Sequence, residues 1–392
     1  MSIKSFNASQ RMRGVQPPII SIVSDLIKKN QGTISLGQGV VYYGPPQKVI
    51  NKISKLNPSP DYHIYSEVEG ITKLRSIISK KLILENKISV NGKYDLIVTA
   101  GSNMAFMNAI LAIADPGDEI ILLRPYYFNH EMAINMINCK PVIVNTDLDY
   151  QPRLENIIES ITPKTKAVVT VSPNNPSGAV YKEKILEKIN LLCKEKGIYH
   201  ISDEAYEYFT FDGINHFSPG SIPDSFDYTI SLYSLSKAYG FASWRIGYMV
   251  IPEHLSLSIK KIQDTYLICP TRISQEAAIT ALEVGSDYTK KYLNKIEYVR
   301  NSLYAELESI SNICETPLTM GAFYFLIKLK TELTGIEIVD KLINEYKIAV
   351  IPGETFGLTN GCYLRVGYGS LDKKMSGIGV QRLIKGLREI IT

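Results

Sequence analysis

The chain has 392 residues, 45% hydrophobic and 21% charged, a balance that builds a folded globular protein and excludes extended disorder. Forty-three Lys and Arg against 39 Asp and Glu leave a net charge of +4, scattered in pairs such as Lys28-Lys29 and Lys260-Lys261, which excludes a nucleic-acid stripe. The length exceeds what one hydrophobic core usually organises, so a large domain and a smaller companion are expected.

Five cysteines (Cys139, Cys193, Cys269, Cys314, Cys362) are odd in number and far apart, a pattern that supports neither a disulfide framework nor a zinc site and suits a reducing cytoplasm. The segment Met1 to Asn7 has no apolar leader core, and apolar runs such as 109–114 are too short to span a bilayer, so neither secretion nor membrane insertion is expected.

Taken in chain order, the elements alternate between strand and helix patterns. Residues 95–100 form a short apolar run ending at Gly101, and a helical pattern follows from 102 to about 114. The first amides of such a helix, those of Ser102 and Asn103, suit a phosphate. Asp115-Pro116-Gly117-Asp118 breaks the helix, and 119–123 is the next strand. Pro125-Tyr126-Tyr127-Phe128 follows it, and Tyr127 could stack on a flat ligand or belong to the core.

The apolar run 166–172 leads into Pro173-Asn174-Asn175-Pro176-Ser177-Gly178, a rigid bend that also offers the Asn175 amide. The run 198–202 ends at Asp203, either a helix cap or a carboxylate awaiting a cation such as a protonated pyridine nitrogen. Tyr206 lies just beyond.

Residues 228–233 precede Ser234-Leu235-Ser236-Lys237. A lysine in a turn is usually solvated, but desolvation and a nearby cation would make it a nucleophile, and Arg245, eight residues on, could supply that field while gripping a phosphate. The run 247–251 is another strand. Several of these runs are continuously apolar, as in a parallel sheet covered on both faces. A helix over 289–310 leads to strands near 322–329 and 363–366, the latter containing Arg365, which needs either a structural acid or a ligand carboxylate. The expected domains are a large one at 46–288 and a small one assembled from 1–45 and 289–392.

Together these motifs, over about residues 34–367, resemble the class I and II aminotransferases of the fold-type I pyridoxal-phosphate enzymes. The resemblance implies an α/β fold with a mostly parallel central sheet plus a smaller α+β domain. It implies that Lys237 carries pyridoxal 5'-phosphate as a Schiff base, Asp203 pairs with the ring nitrogen, Tyr206 and Asn175 bind the ring oxygen, and Tyr127 stacks on the ring. The phosphate falls to the Gly101 turn with Ser102 and Asn103, to Ser234, Ser236 and Arg245, and to Tyr65 of a neighbouring subunit, which makes the protein a homodimer with shared sites. Arg365 matches the clamp for the substrate carboxylate, and Gly39 of Ser35-Leu36-Gly37-Gln38-Gly39 matches a glycine lying against substrate.

The implied reaction is a ping-pong transfer of an amino group from an L-amino acid to a 2-oxo acid. Tyr42, Tyr43 and Phe356 lean the pocket toward an aromatic or bulky neutral substrate, while Arg11, Arg13 or Arg272 could serve an acidic one. The same residues would also serve a carbon-sulfur β-lyase, an oxidase or a synthase, or a non-catalytic sensor. His130-Glu131-Met132-Ala133-Ile134 lacks the second histidine of a zinc helix, no metal is expected, and no histidine is assigned to catalysis.

Overall fold

The computed structural model describes residues 8–56, 60–90, 92–370 and 372–391; Met1 to Asn7 lie outside them. The strands among these residues are β1 (Ile34–Ser35), β2 (Tyr94–Thr99), β3 (Glu119–Arg124), β4 (Lys140–Asn145), β5 (Thr165–Val171), β6 (Tyr199–Asp203), β7 (Thr229–Ser234), β8 (Gly247–Pro252), β9 (Cys314–Glu315), β10 (Tyr324–Leu329), β11 (Ile348–Ala349), β12 (Ile351–Pro352) and β13 (Cys362–Gly367).

Seven of them form one sheet in the order β2-β8-β7-β6-β5-β3-β4. β3 to β7 are parallel, and β8 runs antiparallel to both β7 and β2. β8 alone is therefore reversed. The α/β expectation is met, and each expected strand of this sheet falls within one residue of its observed position. The edge strand β4 was not foreseen, because its polar ends and partly exposed residues do not make an apolar run.

Burial on both faces explains the unbroken apolar runs. In β3, Ile120 and Leu122 pack with Ile97, Phe106 and Ala109, whereas Ile121 and Leu123 pack with Val144, Val168 and Leu186 on the other side. With six strands aligned, the carboxyl ends of β2, β3, β5, β6 and β7 and the start of β8 meet along one edge. That edge is where a doubly wound sheet places a ligand.

A second sheet, β12-β13-β10-β9, is antiparallel, and Arg365 in β13 sits between Ile351 and Leu326. The helices Asp287–Glu308, Gly335–Tyr346 and Lys373–Ile391 surround it. β1 pairs in parallel with β11. Ile19, Val23, Ile34 and Leu36 share one core with Leu303, Phe325, Leu364 and Val366, so the N-terminal segment is held against the C-terminal sheet by apolar packing.

Candidate active site

A cavity of about 400 Å³ opens at the common strand edge, lined by residues from both sheets. Ser102, Asn103, Tyr127, Asn175, Asp203, Tyr206, Ser234, Ser236, Lys237 and Arg245 come from the large sheet, Gly39 and Arg365 from the other side. Segments as far apart in sequence as Ile20 and Arg365 thus meet in one space.

Lys237 stands on the four-residue helix Leu235–Ala238, whose cap is the Ser234 hydroxyl accepting from the Ser236 amide at 3.2 Å. Its ammonium donates to the Gly39 carbonyl and is enclosed by protein, though the cavity leaves it within reach of a ligand. Burial above all, then the Arg365 and Arg245 guanidinium groups, holds its pKa down to about 8, with Asp203 pulling the other way. A lysine so placed has a larger fraction of free amine near neutral pH than one on the surface.

Asp203, the last residue of β6, is buried; its Oδ1 accepts from the Ala205 amide at 3.1 Å. Its Oδ2 lies 3.1 Å from His130 Nε2. That contact is close enough for an ion pair but off-axis for a hydrogen bond, and both ring nitrogens of His130 lack a hydrogen-bond partner. His130 stacks on Phe106 with centroids 4.0 Å apart and meets Tyr127 edge-on. Its sequence surroundings offer no metal-ligand spacing, and its one local signal is its position three residues after Tyr127, one helical turn.

A chain of hydrogen bonds crosses the cavity. Arg365 donates through Nη1 to Asn175 Oδ1 at 2.8 Å and through Nη2 to the Gly37 carbonyl at 2.6 Å. Asn175 Nδ2 donates to the Tyr206 hydroxyl at 3.3 Å, and that hydroxyl lies 2.8 Å from the hydroxyl of Tyr324. The Arg365 guanidinium rests on the Tyr324 ring, 4.5 Å from its centroid, and its Nε is buried without a partner. No Asp or Glu pairs with it among the described residues, so the structural reading of Arg365 fails and a donor remains for a ligand carboxylate.

Gly101 has φ +83° and leads into the helix Ser102–Ile113. A β-carbon there would collide with the Arg245 guanidinium, which also donates to the Ala242 carbonyl at 3.0 Å and the Ala100 carbonyl at 3.3 Å. Gly101 itself is outside the lining and acts by making room. The Ser102 and Asn103 helix start, Ser234, Ser236 and Arg245 thus gather as one polar wall. A phosphorylated aromatic aldehyde fits this donor set: a helix start and guanidinium for the phosphate, a buried carboxylate for a ring cation, an aromatic side chain and an amine.

Three expectations need correction. Tyr43 stacks on Tyr292 at 4.1 Å, and its hydroxyl donates to the Lys237 and Ala238 carbonyls at 3.2 Å; Tyr42 packs edge-on against both rings. Phe356 is buried beneath the Arg365 guanidinium. None of the three lines the cavity, because the apolar core competes more strongly for them.

The arginines weighed for an acidic side chain are elsewhere too. Arg11 and Arg13 are exposed on the helix Gln10–Arg13, and Arg272 pairs with Glu276 at 3.0 Å. Tyr65 is 75% exposed and outside this cavity. Residues the sequence reading missed in the lining include Ile20, Val40, Phe128 and Tyr324.

A family model described as aminotransferase class I and II matches residues 31–383. The chain is 33% identical to an aromatic aminotransferase of Arabidopsis thaliana, covering 98% of this chain and 97% of that one. It is 34% identical to a probable aspartate/prephenate aminotransferase of Aquifex aeolicus, over 83% of this chain and 84% of the relative. Among solved structures, the aspartate aminotransferase of Thermus thermophilus with maleate superposes with a TM-score of 0.89 at 27% identity, covering 97% of this chain and 100% of that chain.

Proposed function

This chain belongs to the class I and II aminotransferases and is a pyridoxal-phosphate-dependent transaminase; from that premise we propose that it moves the amino group of an aromatic or bulky neutral L-amino acid to a 2-oxo acid by a ping-pong mechanism. One observation carries the substrate class. The cations lining the cavity are Lys237, Arg245 and Arg365, and each has its own task in the reaction. None is left for a side-chain carboxylate, while Ile20, Val40 and Phe128 offer apolar surface. The Arabidopsis relative is named for aromatic substrates and the Aquifex one for aspartate and prephenate, so names alone do not decide.

In this reading Asp203 holds a proton on the ring nitrogen, Asn175 and Tyr206 hydrogen-bond the ring oxygen, and Tyr127 packs on the ring. Ser102, Asn103, Ser234, Ser236 and Arg245 hold the phosphate beside the Gly101 turn. Arg365 grips the substrate α-carboxylate, aided by Asn175, and Gly39 lets the substrate approach. Bound pyridoxal phosphate supplies the conjugated ring that takes up the electron pair of the breaking Cα–H bond. Lys237 Nζ takes that proton and returns it, which its depressed pKa favours near neutral pH. The orientation imposed by Arg365 keeps the reacting carbon within its reach.

The same reading divides the chain into a large domain, 46–288, and a small one, 1–45 with 289–392, with the cavity between them. It makes the protein a homodimer in which Tyr65 reaches the partner's phosphate site; the exposure of Tyr65 and of its chain neighbour Ile64, 63% exposed, supports this. Five free cysteines favour a cytoplasmic setting. Among the described residues no helix is long and apolar enough to cross a membrane.

The deciding experiment offers the twenty amino acids with 2-oxoglutarate and with pyruvate. Phenylalanine, tyrosine, leucine or methionine should give the highest kcat/KM. A clear preference for aspartate would overturn the substrate class.

A further inference from the structure

Tyr324 takes none of the roles in the proposed reaction, yet it is completely buried and lines the cavity. It lies on β10, opposite Gly367 and two residues along from the Leu326–Arg365 pair. Its hydroxyl is 2.8 Å from that of Tyr206, which also accepts from Asn175 at 3.3 Å.

A phenol has one proton to give. Tyr206 can direct that proton at Tyr324 or into the cavity. If it points into the cavity, the Tyr324 proton has to point at Tyr206, because a buried hydroxyl without a partner costs about 1–3 kcal/mol. Burial pushes the Tyr324 pKa up to about 12, so it keeps the proton it donates.

We infer that Tyr324 is a positioning residue for the reaction: by donating to the Tyr206 hydroxyl it turns the Tyr206 proton toward the cofactor's ring oxygen and stabilises negative charge there. This rests on the proposed role of Tyr206 at that oxygen. More donation to the oxygen leaves it less able to hold a proton on the neighbouring Lys237 nitrogen. Removing the Tyr324 hydroxyl therefore raises the pH at which the bound cofactor changes colour. The titratable and charged groups facing Tyr206 and Lys237 are Tyr127 beyond β3, Asp203 on β6, Arg245 before β8, Tyr324 on β10 and Arg365 on β13. Substituting Tyr324 leaves the others in place.

The test is an absorbance pH titration of holoenzyme for wild type, Tyr324→Phe, Tyr206→Phe and the double variant, with thermal melting to confirm folding and with titration of each apoenzyme by pyridoxal phosphate. Tyr324→Phe should raise the midpoint by about half a unit and weaken cofactor binding severalfold. Tyr206→Phe should raise it further, and the double variant should match Tyr206→Phe alone. If Tyr206→Phe leaves the midpoint in place, the role of Tyr206 is wrong. If Tyr206→Phe moves it and Tyr324→Phe does not, or if the two shifts add in the double variant, the inference about Tyr324 fails while that of Tyr206 stands.

Discussion

A β-carbon on Gly39 would lie 2.5 Å from the Tyr324 hydroxyl, whereas the next nearest atom, Tyr324 Cζ, is at 3.6 Å. One oxygen atom is what requires glycine there. Gly39→Ala should lower kcat/KM by roughly 10- to 100-fold, the range of an overpacked site. In a Tyr324→Phe background the same change should cost little. Measuring kcat/KM for all four proteins decides it, and equal losses in both backgrounds would place the conflict elsewhere.

Lys237 has a pKa of about 8 against an ordinary 10.5. Between those values the unfolded chain binds a proton that the folded apoprotein does not, so stability rises with pH across the window. Below about pH 8 the cost of the buried ammonium is fully present. Lys237→Met apoprotein should therefore melt a few degrees above wild-type apoprotein at pH 7, with the gap closing toward pH 10.5. A gap that ignores pH would contradict the buried, charged lysine. Lys237→Ala should fold and lose nearly all turnover.

Arg365 makes two charge-assisted hydrogen bonds within the cavity and keeps Nε unpaired. Arg365→Ala should raise KM for the amino acid by roughly 100-fold, with cofactor content unchanged by absorbance. Arg365→Lys should recover little, because a point charge does not reproduce the planar pair of donors. Loss of the cofactor in either variant would reassign this residue.

Asp203→Asn preserves shape and removes the charge facing His130 and the cavity. Affinity for pyridoxal phosphate should fall by roughly 10- to 100-fold, with the melting temperature of the apoprotein little changed. Unaltered affinity would mean that Asp203 serves only the turn to Ala205.

Tyr43→Phe removes a hydroxyl that holds the Lys237 and Ala238 carbonyls, so stability should drop by about 1 kcal/mol. The ratio of kcat/KM between phenylalanine and aspartate should stay within a factor of about two of wild type, since Tyr43 lies behind Lys237 and not in the cavity. A changed ratio would return the Tyr42-Tyr43 loop to the substrate pocket.

How much was legible follows from what kind of signal each residue leaves. The strands around Asp203, Ser234 and Thr99 could be read because burial on both faces demands unbroken apolar runs, and the polar residue closing each run marks the edge of the sheet. Lys237, Asn175 and Arg365 could be named because their spacing resembles a known family. His130 left only its spacing of one helical turn from Tyr127, and Tyr324 looks like an ordinary member of an apolar strand.

The sequence by itself determined the α/β alternation, the strand positions and the residue types that carry the chemistry, all of which depend on local pattern. Which residues share a space was decided only by the tertiary structure. Tyr42 and Tyr43 are as aromatic as Tyr324, yet packing on Tyr292 draws them into the core while sheet register brings Tyr324 to Tyr206 and Arg365. That outcome depends on contacts between segments far apart in sequence, from Tyr324 and Arg365 to Tyr42 and Tyr292, and no local pattern contains it.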